Sequence, residues 1–291
     1  MSTLWQNISS KVLNSGSKLY LLIGINVIVF LAISIPGVIE WLFTGSQYLV
    51  DHYSNEYLAL PAYLPTLLHR FWTLLTYMFM HDGIFHIAFN MLWLYLLGQI
   101  FEDYLGNKRI AGLYLLGGFS GALFYILAYN IFPVFAPVLP VSTAVGASAS
   151  VMAIIVATAT LVPNYTIPLI FIGPVKLKWL VLVYVVVDFL SIAGPNSGGE
   201  IAHMGGALMG FVYIKRLQKG NDWVEVIGQL FSRRPGLSKL KVATRNNEKK
   251  SQSRPRQEDV DHILDKISTT GYESLSKEEK EILFRASKNE S

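Results

Sequence analysis

Six stretches of the chain are apolar almost without interruption, at residues 19–35, 84–101, 110–131, 145–162, 177–192 and 201–214. Crossing the hydrocarbon core of a bilayer takes about 20 predominantly apolar residues in a helix, so the first five read as spans or near-spans. The sixth is shorter, but AGPNSGGE at 193–200 marks its start and Lys215 and Arg216 its end, which predicts a short helix partly facing water. The pattern predicts an all-α polytopic membrane protein, a six-helix bundle. It divides into a cytoplasmic N-terminal segment at 1–18, the six-helix domain at 19–216, a juxtamembrane segment and basic linker at 217–257, and a small helical unit at 258–291. Within the domain lies a long extracytoplasmic loop, about 36–83, and connections of that length usually carry function or structure of their own.

Beyond the last span the pattern changes. Residues 221–231 (NDWVEVIGQLF) are mildly amphipathic and predict a helix on the inner membrane surface, and 232–256 is a basic, apolar-poor linker suited to anionic lipid. Val260, Ile263, Leu264 and Ile267 then recur at helical spacing, 270–272 breaks the pattern, and Ser276 with Glu279 forms a capping box that opens a second short helix.

Composition supports the membrane: 52% of residues are hydrophobic and 15% charged. Lys and Arg set the orientation. Lys11 and Lys18, then Lys108 and Arg109, then Lys176 and Lys178, then Lys215, Arg216 and Lys219 fall on one side, while the opposite loops hold only Arg70. Both termini are therefore placed in the cytoplasm, and the first apolar run, preceded by a polar stretch, reads as an anchor and not as a cleaved signal. The net charge of +4 is spread over helix ends and tail, not gathered in one patch, which argues against nucleic acid. With no cysteine, disulfides, thiolate metal sites and a cysteine nucleophile are excluded. The sequence has neither HExxH nor a Walker-type phosphate loop, and His81 and His86, five apart, do not share a helical face, so no metal or cofactor is expected. Nor is there the internal repeat of a transporter.

With this topology the second, fourth and sixth helices all begin at the outer face. His86 and Asn90, Ser148, and His203 stand near those three beginnings, so residues far apart in sequence can meet in one water-reachable site. Taken singly, each has a structural role open to it: Ser148 as a helix cap, His203 as a hydrogen-bonded residue among close-packing glycines, His86 and Asn90 as an interhelical polar contact. Together they supply a hydroxyl that becomes nucleophilic when a base takes its proton, an imidazole, and donors for an oxyanion.

The order HxxxN (His86, Asn90), GxSx (Gly146 to Ala149) and AHxxG (Ala202 to Gly206), on the second, fourth and sixth spans, resembles the rhomboid family of intramembrane serine proteases, bacterial type, over about residues 19–216. Gly98, Glu102 and Gly106 are similar to that family's GxxxExxxG. The resemblance implies Ser148 as nucleophile, His203 as base and later acid, an oxyanion pocket from His86, Asn90 and the Ser148 backbone, and Gly146 as a further oxyanion- or substrate-stabilising residue. Gly205, Gly206 and Glu102 are implied as structural support, Glu102 pairing with backbone or basic groups. A dyad needs no carboxylate, so Asp188 is read as a helix contact. Three positions depart from the family pattern: Ala149 stands where many members have Gly, Met152 where many have an aromatic, and Arg70 precedes Trp72 instead of following a Trp directly. The implied activity is hydrolysis of single-span membrane-protein substrates within the bilayer, in a bacterial inner membrane. An inactive rhomboid-like chaperone or trafficking factor, which would have lost Ser or His, is the alternative.

Overall fold

A computed structural model describes residues 16–169, 173–225 and 257–287. By internal contacts the chain divides into two units, Met1–Arg233 and Arg234–Ser291.

In the first unit, α1 (Lys18–Thr44) opens on Ser17, whose Oγ accepts from the Tyr20 N–H, and closes on Gly45 in the left-handed conformation. It runs 27 residues, straight past Pro36, where the sequence pattern placed the end of the span. A proline removes one helical hydrogen bond, a cost that membrane helices tolerate. The extra turns bring Glu40 under the next helix, α2 (Tyr48–Leu58), where its carboxylate accepts from the N–H groups of Leu49 and Val50 at 2.8 and 2.9 Å. An anion at a helix N-terminus is the favourable arrangement.

The loop that follows is structured. It contains β1 (Leu60–Pro61), α3 (Leu64–His69), α4 (Thr73–Thr76) and a 3-10 turn (Tyr77–Phe79). Arg70 is fastened inside it, with Nη2 2.5 Å from Glu56 Oε1, Nη1 donating to the Glu56 carbonyl, and the guanidinium over the Tyr57 ring.

Next come α5 (Ile84–Leu105), α6 (Asn107–Ile131), β2 (Thr143–Ala144) and α7 (Ser148–Leu161). A hairpin, β3 (Thr166–Leu169) with β4 (Gly173–Lys176), connects to α8 (Leu177–Leu190), and a 3-10 turn (Ser191–Ala193) leads to α9 (Ser197–Leu217). The β3–β4 hairpin has no counterpart in the sequence reading, because its Ile-, Leu- and Pro-rich run carries neither alternation nor a two-residue turn motif. All six apolar stretches are helical, and α1, α5 and α6 are long and apolar enough to cross a membrane.

α7 is the centre of the bundle, with ten of its fourteen residues buried. Small residues make this possible. Gly206 and Gly210 of α9 lie against the backbone of Ala149 and Ala153, and Gly121 and Gly117 of α6 lie against the side chains of the same two alanines. Each glycine sits where a Cβ would collide, so α7 is clasped from two sides at four-residue intervals. Gly205 performs the same service toward α6, where the Ser120 Oγ donates to the Gly205 carbonyl at 2.8 Å.

Glu102 near the end of α5 accepts from Ser17 Oγ at 2.9 and 3.0 Å. Its hydrogen-bond partner among the described residues is thus a hydroxyl at the start of α1, where the sequence reading allowed backbone or basic groups.

The second unit consists of α10 (Gln257–Thr270), a 3-10 turn and α11 (Lys277–Ser287), joined through Gly271 at φ 82°. The capping box is present: Ser276 N–H donates to Glu279 Oε2 at 2.7 Å and Glu279 N–H to Ser276 Oγ at 3.2 Å. Most of the surface helix at 221–231 and all of the basic linker at 232–256 lie outside the described residues.

Candidate active site

The segment leading into α7 is held by the long loop. β1 pairs antiparallel with β2, Leu60 opposite Ala144, and the Gly146 N–H donates to the Tyr77 carbonyl at 2.9 Å. Tyr77 in turn donates its hydroxyl to the Gly118 carbonyl of α6 at 2.5 Å. These bonds deliver Ser148 as the first residue of α7, where the opening N–H groups have no intrahelical acceptor and remain available to an oxyanion.

Gly146 has φ 130°, a conformation that favours glycine. A Cβ built there would stand 3.0 Å from the His86 ring and 3.4 Å from Ser148 Oγ. Gly146 therefore keeps open the space between imidazole and hydroxyl. The sequence reading placed it among the oxyanion- or substrate-stabilising residues; in the structure its N–H is engaged by the Tyr77 carbonyl, and its lack of a Cβ leaves room beside Ser148.

A cavity of about 680 Å³ opens over this point, lined among others by His86, Asn90, Ser148 and His203. Residues from the starts of α5, α7 and α9 thus do share one site. Asn90 is buried and its Nδ2 donates to the His86 carbonyl at 2.9 Å, which ties the two residues one turn apart. Trp93 of α5 and Tyr184 of α8 stack at 6.2 Å between centroids and close one wall of the cavity.

His203 is the most constrained member. Its Nδ1 lies 2.7 Å from Asp188 Oδ2 of α8, both side chains being little more than one-tenth exposed. Its Nε2 is buried and has no hydrogen-bond partner among the described residues. Asp188 is a helix contact, as read from the sequence, but its partner is the imidazole itself. The signal available in sequence was a lone carboxylate in the apolar run VYVVVDFL, which demands a partner without saying which.

Outside the spans, His81 stands edge-on to His86 at 5.0 Å. Burial, then the neighbouring His86 imidazole, pull its pKa down to about 4 against a smaller opposing pull from the Phe79 backbone. Among the described residues no three His, Asp or Glu side chains are grouped to hold a metal ion.

The model of the Rhomboid domain matches residues 68–219, more than half of the chain, and spans every residue of this site. The chain belongs to the rhomboid family. It is an integral membrane protein of that family, similar to RHOMBOID-like protein 12, mitochondrial, of Arabidopsis thaliana, at 30% identity over 67% of this chain and 59% of the relative. RHOMBOID-like protein 1 of the same plant is 30% identical over 52% of this chain and 37% of the relative. A third relative, Inactive RHOMBOID-like protein 8, is 39% identical over 20% of this chain and 17% of its own length. The rhomboid chain spans less than two thirds of the length of each of these relatives. Residues 242–289 match a second family model, a family of unknown function (DUF6576), which takes in the helical pair α10 and α11.

Proposed function

We propose that this rhomboid is an intramembrane serine endopeptidase that cleaves peptide bonds in or near the transmembrane segments of single-span membrane proteins. One observation carries the reading: Ser148, His86, Asn90 and His203 line a single cavity in which His203 Nε2 is buried without a partner among the described residues. A buried imidazole nitrogen with no hydrogen-bond partner, in a cavity shared with a hydroxyl, is costly unless it is there to take a proton.

The steps follow from the side chains present. Ser148 Oγ attacks the scissile carbonyl carbon while Nε2 of His203 takes the hydroxyl proton. The carbonyl oxygen, now an anion, is met by the opening N–H groups of α7, by the Asn90 amide and by the His86 ring. The imidazolium then gives its proton to the leaving nitrogen, and a water molecule activated by the same imidazole releases the acyl group.

At 14 residues α7 is about 21 Å long, shorter than a hydrocarbon core of about 30 Å, so a nucleophile at its outer end lies below the membrane surface. A substrate helix must unwind to present a carbonyl there, which favours segments with small or helix-breaking residues near the outer face. The Lys and Arg distribution supports a cytoplasmic position for both termini, and the proposed setting is a bacterial inner membrane.

The test is cleavage of a single-span reporter by the purified full chain in lipid vesicles. The native protein should cut, and folded Ser148→Ala and His203→Ala variants should lose at least about a thousandfold in rate. A native chain that binds the reporter and leaves it uncut would be a chaperone-like member instead.

A further inference from the structure

We infer that Asp188 is a positioning residue for His203, orienting the imidazole that serves Ser148. This rests on the reading of Ser148 and His203 as nucleophile and base.

A carboxylate oxygen accepts hydrogen bonds and donates none. The 2.7 Å contact between Asp188 Oδ2 and His203 Nδ1 therefore places the imidazole proton on Nδ1 and leaves the lone pair on Nε2. That nitrogen is the buried, unpartnered one, on a residue that shares the cavity with Ser148. In the opposite tautomer Nε2 would carry a hydrogen and could not take the serine proton. The carboxylate thus selects the form of His203 that the reaction needs, and it fixes the ring plane.

The local fold builds this contact deliberately. Asp188 lies in the last turn of α8, and only residues 191–196 separate α8 from α9, so the end of one helix faces the beginning of the next. Of the two carboxylates close to the imidazole, Glu200 on its own helix makes no bond to it, and Asp188 does. α8 buries little else: Leu177 and Val181 are its buried residues. A carboxylate is a costly way to fasten one apolar helix to another. Its place is explained by what it holds.

Through the reaction Asp188 remains a carboxylate. When Nε2 takes the Ser148 proton, the imidazolium is paired with a charge already in place, and when that proton passes to the leaving nitrogen the starting tautomer returns.

The experiment compares the full native chain with Asp188→Asn, Asp188→Glu and Ser148→Ala in vesicles, alongside ¹⁵N NMR of histidine-labelled protein in micelles, with His203→Gln to assign the resonance. For Asp188→Asn the expected result is a fall in kcat of roughly a hundredfold or more with KM within about twofold, a thermal unfolding midpoint close to native, and partial recovery in Asp188→Glu. The native His203 signal should report the Nδ1–H tautomer alone, and Asp188→Asn should populate the other. Native kcat in Asp188→Asn, or a loss of activity accompanied by unfolding with the tautomer unchanged, overturns the inference while leaving the dyad intact. Cleavage that survives Ser148→Ala overturns the protease reading, and the role assigned to Asp188 falls with it.

Discussion

The two halves of this bundle are built on different principles. α6, α7 and α9 meet through glycine and alanine, backbone against backbone, and ten of the fourteen residues of α7 are buried. α5 and α8, which wall the cavity, meet through large side chains such as Trp93 and Tyr184, and α8 leaves Leu182, Val183, Val186, Val187, Phe189 and Leu190 exposed. In lipid there is no hydrophobic drive to bring helices together, so close backbone approach sets stability, and side-chain walls can separate at small cost. Ser148 and His203, the proposed nucleophile and base, ride on the close-packed half. Trp93 and Tyr184 of the other half line the same cavity.

This contrast breaks most sharply at Gly206. Gly206→Val would drive a side chain into the backbone of Ala149, which cannot turn aside, and should cost about 3 kcal/mol of stability as measured by unfolding in detergent. Gly83→Ala, with open space at its Cβ, should change stability by less than about 0.5 kcal/mol.

Acid should probe the segment that leads into α5. His81 has a folded pKa of about 4 against an ordinary 6.5, so the unfolded chain takes up a proton over that interval while the folded chain does not. Stability from this group is full above about pH 6.5 and declines as pH falls toward 4, by on the order of 3 kcal/mol. Unfolding midpoints measured from pH 7 to 4 should fall less steeply in His81→Gln than in the native chain.

At the meeting of hydroxyl and imidazole, Gly146→Ala should leave most of the fold in place and lower reporter cleavage roughly a hundredfold, because its Cβ enters the space between His86 and Ser148. The smallest effect belongs to the wall. Tyr184→Ala removes a stacking contact worth about 1 kcal/mol, and should change kcat/KM for a helical reporter severalfold while cleavage of a short soluble peptide stays the same. Equal changes for both substrates would mean that the wall is part of the reacting centre and the contrast is drawn in the wrong place.

Much of this was legible beforehand because the bilayer imposes a simple rule. Apolar length predicts a helix, and all six stretches are helical; the distribution of small residues predicts where helices touch, as Gly205, Gly206 and Gly210 do. The capping box at Ser276 and Glu279 was readable for a similar reason, since both partners lie within one turn. Less legible were the features that depend on what lies across a gap. The run of α1 past Pro36, the β3–β4 hairpin and the engagement of the Gly146 N–H by Tyr77 each involve a partner that spacing does not name.

The sequence by itself determined the six helices, their small-residue faces and the family motifs that single out Ser148 and His203, because periodicity and apolar length act locally along the chain. Only the tertiary structure decided that Asp188 meets Nδ1 of His203, that Nε2 is left buried with no partner among the described residues, and that Glu102 answers to Ser17. Those choices depend on the rotation and depth at which packed helices come to rest, and these are set by contacts between residues far apart in the chain.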